Sequence, residues 1–184
     1  MLSRWWFYVL LGLGSLVAAI ALVVGYAMVV AYPNLPSLEA LTSYQPKIPL
    51  QIFSMEGDLI GEFGEEKRAF VKIEQTPEIL RKAIIAAEDE RFYEHGGVDY
   101  IGVIRAALSN FAAASARQGA STITMQVARN FFLSTEKTFS RKFNEALLAF
   151  KIEHSLTKDE ILQLYINQIY LGQRAYGFGA ASQV

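Results

Sequence analysis

The sequence contains no cysteine, which excludes a disulfide framework and thiolate metal sites and leaves the redox compartment open. An excess of charge is missing too. Lys and Arg number 17 against 18 Asp and Glu, for a formal net charge of −1, so the chain carries no electrostatic footprint of a nucleic-acid binder. Proline is scarce, and four of its five occurrences (Pro33, Pro36, Pro46 and Pro49) crowd into one stretch. That clustering predicts a stiff, extended connector over residues 33–49. Internal repeats and low-complexity tracts are absent.

Apolar residues, in contrast, make up 52% of the chain, concentrated at one end. From Trp5 to Tyr32 the sequence reads "WWFYVLLGLGSLVAAIALVVGYAMVVAY", with no ionisable group other than tyrosine hydroxyls. About 20 such residues suffice to span a bilayer. The run exceeds the roughly 7–15 apolar residues of a secretory signal, and "AMVVAY" is a poor cleavage site. Residues 5–32 therefore read as an uncleaved transmembrane anchor with interfacial aromatics at both ends. Arg4 and the amino terminus flank one side, while Glu39 is the first charge on the other. The positive-inside rule then makes residues 1–4 a cytoplasmic tail and puts the remainder outside.

Residues 50–184 are long enough to build one core. In "IPLQIFSMEGDLIGEFG" two β-prone runs flank Met55-Glu56-Gly57-Asp58, the pattern of a hairpin, and "AFVKIE" is a candidate third strand. This β entrance covers about 50–74. From 76 onward the periodicity is helical. Thr76-Pro77 is expected to cap and open the first helix, and Thr157-Lys158-Asp159-Glu160 forms a capping box before "ILQLYINQIYLG". The fold class is mainly α.

Three stretches bear on chemistry. In "AAEDERFYEHGGVD" a helix would put Glu88 on one face with Ile84, Ile85 and Phe92, before His95-Gly96-Gly97 ends it. A carboxylate desolvated by such a stripe suits proton transfer near neutral pH, although a structural carboxylate satisfied by Arg or backbone fits the same position. In "RQGASTITMQVARN", Gly119-Ala120 breaks the chain and Ser121-Thr122 offers hydroxyls at a helix start. Open N–H groups there, with Arg117 and Arg129 nearby, suit an anion such as a phosphate; a plain helix cap is the alternative. In "FSRKFNEALLAFKIEH", Phe139, Phe143, Leu147, Phe150 and His154 share one face, with His154 expected in the core. Arg141 and Glu145 share another with Leu148 and Ile152, so this pair lines a cleft or is buried.

These segments together resemble a known family. "EDERFYEHGG" fits E-D-x-x-F-x-x-H-x-G, and "GASTITMQ" is similar to G-G-S-T-I-T-Q-Q, departing at Ala120 and Met125. "RKFNE" fits R-K-x-x-E, and "KDEILQLYINQIYLG" fits K-x-x-I-L-x-x-Y-x-N-x-x-x-x-G. Order and spacing resemble the peptidoglycan glycosyltransferases (family 51) of class A penicillin-binding proteins and monofunctional transglycosylases. The resemblance implies a lysozyme-like helical domain with a second lobe that dips into the membrane, for which "YIGVIRAALSNFAAASA" is the candidate. It implies polymerisation of lipid II into glycan with inversion and release of undecaprenyl pyrophosphate, at the periplasmic face of a bacterial inner membrane.

By the same resemblance Glu88 matches the general base and Glu145 the second essential carboxylate, at the donor side, where Mg or Mn is a possible companion. Arg129, Arg141 and Lys142 would neutralise the leaving pyrophosphate. Asp89, Phe92, His95, Gly119, Ser121, Thr122, Gln126 and Asn130 complete the implied substrate-binding set. Implied partners are lipid II and the growing glycan, the bilayer, moenomycin-type inhibitors and other proteins of cell-wall synthesis, with no nucleic acid and no organic cofactor. Val184 falls inside the family's last motif, so further helices, and in the class A proteins a transpeptidase domain, are expected beyond it; transpeptidation is not assigned to residues 1–184.

Overall fold

The computed structural model describes residues 2–42, 44, 50–112, 119, 121–133 and 139–184. They form two units, Met1–Pro36 and Ser37–Val184. In the first, α1 (Leu2–Tyr26) runs on through a π-helical turn, Ala27–Ala31, and a 3-10 turn, Tyr32–Asn34. Pro33 has no N–H to continue the helix, and the Asn34 side-chain amide donates to the Val30 carbonyl at 2.7 Å. Trp5–Asn34 is long and apolar enough to cross a membrane, and its large side chains, from Trp5 and Leu10 to Val29, are exposed.

In the second unit the proline-rich stretch is not extended throughout. Glu39–Thr42 forms a short helix, α2, that buries Leu41, and Tyr44 is tied in by side-chain bonds; residues 43 and 45–49 lie outside the described set. The expected hairpin is present as β1 (Leu50–Phe53) and antiparallel β2 (Leu59–Phe63), paired Leu50 to Phe63 and Ile52 to Gly61. Ser54 closes its turn: its N–H donates to Asp58 O at 2.7 Å, and its hydroxyl accepts from Asp58 N at 3.1 Å.

The third strand differs from expectation. Lys67–Arg68 is β3, pairing in parallel with β4 (Ala175–Tyr176) near the other end of the chain. "AFVKIE" instead runs irregularly into a 3-10 turn, Ile73–Gln75. Its backbone groups are satisfied by side-chain amides rather than by a strand: Asn167 both donates to Val71 O and accepts from Val71 N, each at 2.8 Å, and Gln163 accepts from Ile73 N at 2.8 Å. A segment whose polar groups are already paired has no need of a ladder.

The helices follow as α3 (Glu78–Glu88), α4 (Tyr100–Ala112), α5 (Ile123–Phe132), α6 (Phe139–Ser155), α7 (Lys158–Gln168) and α8 (Phe178–Ala181). The start of α3 corrects the sequence reading. Pro77 is the cap, its carbonyl accepting from Leu80 and Arg81, while the Thr76 hydroxyl turns back to Lys72 O at 3.2 Å. The Thr157 capping box stands as expected, with Glu160 reaching back to Thr157 N at 2.7 Å.

Helix α5 packs against α6 and α7, and this trio holds the core. Ile123, Val127, Leu148, Ile152, Ile161, Leu162 and Ile166 are fully or almost fully buried there, each contributing roughly 1.5–3 kcal/mol relative to exposure. Burial on α6 therefore follows the Glu145–Leu148–Ile152 face. Phe150 and His154 are exposed, while Phe143 and Leu147 are half-buried; the core position expected for His154 is not taken, because α6 turns its Leu148 and Ile152 side into the core instead. A second knot lies at the buried Arg68 side chain. It donates to Gln168 Oε1 at 2.6 Å and the Tyr44 hydroxyl at 3.0 Å, with its guanidinium 4.5 Å from the Tyr176 ring centroid.

Candidate active site

Helix α3 ends at Glu88, earlier than the His95-Gly96-Gly97 expected from sequence. Asp89 is extended (φ −160°, ψ 75°), and residues 90–97 form a chain of turns. A carboxylate in the last turn opposes the helix dipole, which favours cations there, and α3 has no basic residue in its last turn to offset it. The stripe expected to bury Glu88 is divided. Ile84 and Phe92 are buried, but Phe92 sits in the turns and Glu88 is exposed. Burial by its apolar neighbours is thus not the source of any reactivity of Glu88.

Glu88 lines a cleft of about 430 Å³ together with Asp89, Glu90, Asp99, Gly102, Arg105, Gly119, Ser121 and Thr122. From the α5 side, Gln126 donates its amide to Glu88 Oε2 at 2.8 Å. Tyr165 of α7 is buried and close enough to feel both Glu88 and Arg129. Burial pushes its phenol up to about 12; the Glu88 carboxylate adds to the rise and Arg129 opposes it. Tyr165 therefore keeps its proton throughout the neutral range.

Asp89 turns inward. Its carboxylate accepts from the His95 ring at 2.9 Å and from Ile123 N, the first N–H of α5, at 3.0 Å. Thr122 is the α5 cap, accepting from Met125 N at 3.2 Å and donating to Gly97 O at 2.6 Å. Two of the N–H groups that suited a phosphate are thus occupied by protein oxygens, one of them an internal carboxylate. The turns approach α6 so closely at Gly97 (φ +98°) that a Cβ would lie 2.9 Å from the Ala149 carbonyl carbon; only glycine fits there.

Beside the cleft, Glu145 is fully buried between two cations of its own helix. Arg141 pairs with Oε1 and Lys142 donates to Oε2 at 2.9 Å, while Lys142 also donates to the Ser121 hydroxyl. Two cations around one carboxylate leave a net positive charge, so an anion fits. A divalent metal does not: both Glu145 oxygens are engaged by cations, and no group of three His, Asp or Glu among the described residues could hold an ion.

The geometry brings Glu88, Asp89, Gly119, Ser121, Thr122 and Gln126 together, with Lys142 and Glu145 joined through Ser121. Phe92 is instead fully buried and His95 is tied to Asp89. Arg129 is half-buried in the last turn of α5 and Asn130 is exposed beside it. Arg117 and Ala120 lie outside the described residues. Sequence reasoning missed Asp99, Arg105 and Tyr165. Asp99 was findable, since an Asp just before an apolar helix is a cap signal, and it accepts from Gly102 N at 2.9 Å.

A family model described as transglycosylase matches residues 56–184. Penicillin-binding protein 1A of Neisseria cinerea is 61% identical over 172 residues, covering 94% of this chain and 21% of that protein. The Neisseria gonorrhoeae protein of that name is 63% identical over 161 residues (88% and 20%), and the Escherichia coli K12 one 55% over 152 residues (83% and 18%). The chain spans about a fifth of the length of these relatives.

Proposed function

The chain belongs to the transglycosylase family, and on that premise we propose that it is a peptidoglycan glycosyltransferase that polymerises lipid II, with Glu88 as the general base. Glu88 takes the proton of the acceptor 4-hydroxyl as that oxygen attacks C1 of the lipid-linked donor. The C1–O bond to pyrophosphate breaks with inversion, and undecaprenyl pyrophosphate leaves. The single observation that carries this reading is the juxtaposition of an exposed carboxylate, Glu88, with a net-positive cluster at Arg141, Lys142 and Glu145, joined to the cleft through Ser121. Base and leaving-group site are then both supplied. Fixed cations aimed at developing negative charge are an effective form of transition-state stabilisation, and Arg129 adds to them.

Both substrates carry lipid tails confined to a bilayer, which gives the Trp5–Asn34 helix a purpose. It supports an anchored enzyme with its catalytic unit on the periplasmic side of the inner membrane. Helix α4 supports lipid contact as well: Tyr100, Ile101, Ile104, Leu108 and Phe111 are exposed and recur at helical spacing on one face. Moenomycin-type inhibitors, as analogues of the donor, would occupy the cationic side.

Labelled lipid II in vesicles tests the proposal. Release of undecaprenyl pyrophosphate with long glycan is the expected result. Small muropeptides from preformed glycan would identify a lysozyme-like hydrolase, and no turnover would leave a membrane-anchored scaffold.

A further inference from the structure

The carboxylate of Glu88 is exposed at a helix end, where nothing on its own helix fixes its rotamer. We infer that Gln126 is a positioning residue that holds Glu88 by one oxygen and so presents the other to the acceptor hydroxyl. This inference rests on the reading of Glu88 as the base.

Its support is a double latch between the end of α3 and the first turn of α5. Asp89 Oδ2 accepts from Ile123 N at 3.0 Å. Three residues along the same helix, Gln126 donates to Glu88 Oε2 at 2.8 Å. Neighbouring acidic residues thus grip α5 twice, one through backbone and one through side chain. Gln126 itself is buried, and residues three apart stand one above the other on a helix, so the Asp89 latch sets where the amide can reach. Helix α5 is in turn fixed by Thr122, whose hydroxyl donates to Gly97 O at 2.6 Å. The amide therefore has little freedom to leave its carboxylate.

Donation from the amide engages one carboxylate oxygen and leaves the other open to accept the hydroxyl proton, so the bond that orients the base does not block it.

The test is Gln126→Leu in the membrane-reconstituted protein, with kcat and KM for lipid II measured separately. At neutral pH kcat should fall by roughly 10–100-fold, with KM within about twofold, as expected for a misaligned base. If Gln126→Leu does not fold, Gln126→Asn, one methylene shorter, should show the same fall in kcat in smaller measure. An unchanged kcat in a folded variant, or a rise in KM alone, overturns the inference and makes Gln126 a simple substrate contact. Glu88→Gln in the same assay separates the two failures. If it still turns over, the base reading has failed; if it is inactive while the Gln126 variants keep the parental kcat, only the positioning role has.

Discussion

The ammonium of Lys158 lies 4.5 Å from the centroid of the Phe92 ring and donates at 2.6 Å to the carbonyl of His95, in the turns that follow Glu88. The same ammonium pairs with Glu153 of α6 at 2.7 Å, and Glu153 accepts from Thr124 of α5 at 2.6 Å. One lysine at the start of α7 thus ties three helices to the segment behind the proposed base. Lys158→Met should leave Glu153 largely buried without its cation. Breaking a fully buried pair costs roughly 3–5 kcal/mol; since the Lys158 side chain is 20% exposed, a loss of about 2 kcal/mol is expected, read by chemical denaturation. Hydrogen exchange should show the 89–97 turns losing protection first.

Glu145 links stability to the proposed donor site. Glu145→Gln leaves Arg141 and Lys142 with no carboxylate between them, and about 3 kcal/mol of stability should be lost. The double variant Arg141→Met/Glu145→Leu should recover most of it, because a well-packed apolar pair replaces a desolvated ionic one. It should not recover binding of moenomycin, measured directly by calorimetry. Parental inhibitor affinity in the double variant would remove this cluster from the donor side.

Asp99 gives a pH-dependent signature. Burial pushes its carboxyl up, but the Arg91 guanidinium and the Gly102 N–H together outweigh that and hold it below the usual carboxylate range. A carboxyl lower in the folded than in the unfolded state stabilises above the unfolded value, near 4, and loses that contribution as pH falls through the folded one. Asp99→Asn should therefore be less stable than the parent at pH 7, and the gap should shrink below about pH 4. A gap that stays constant from pH 7 to pH 3 would contradict the assignment.

Much of this was legible before any coordinates. The apolar run, the hairpin at Met55–Asp58, the Thr157 box and the Thr122 helix start follow from local rules, and each is present. Features decided by distant partners were not legible. Asn167 and Gln163 take the backbone bonds of 71–73 from nearly a hundred residues away, which no window on "AFVKIE" can reveal. The end of α3 at Glu88 was hidden for a similar reason: Asp89 leaves the helix to cap Ile123, and an apolar i, i+4 pattern continues past the break. On α6 periodicity identified two faces but could not rank them. The five-residue phenylalanine face looks the more hydrophobic, yet the core formed against Glu145, Leu148 and Ile152, because that carboxylate arrives with its own cations.

The central claim is that Glu88 is the base, and turnover of labelled lipid II by Glu88→Gln tests it most directly. Gln is isosteric with Glu, and position 88 is exposed, so melting temperature should match the parent. Loss of a general base costs about 10²–10⁴-fold, so release of undecaprenyl pyrophosphate should fall by at least about 10²-fold while binding of the substrate persists. A folded Glu88→Gln protein that keeps more than about a tenth of parental turnover would contradict the account, because no positioned base could then be lost at that site.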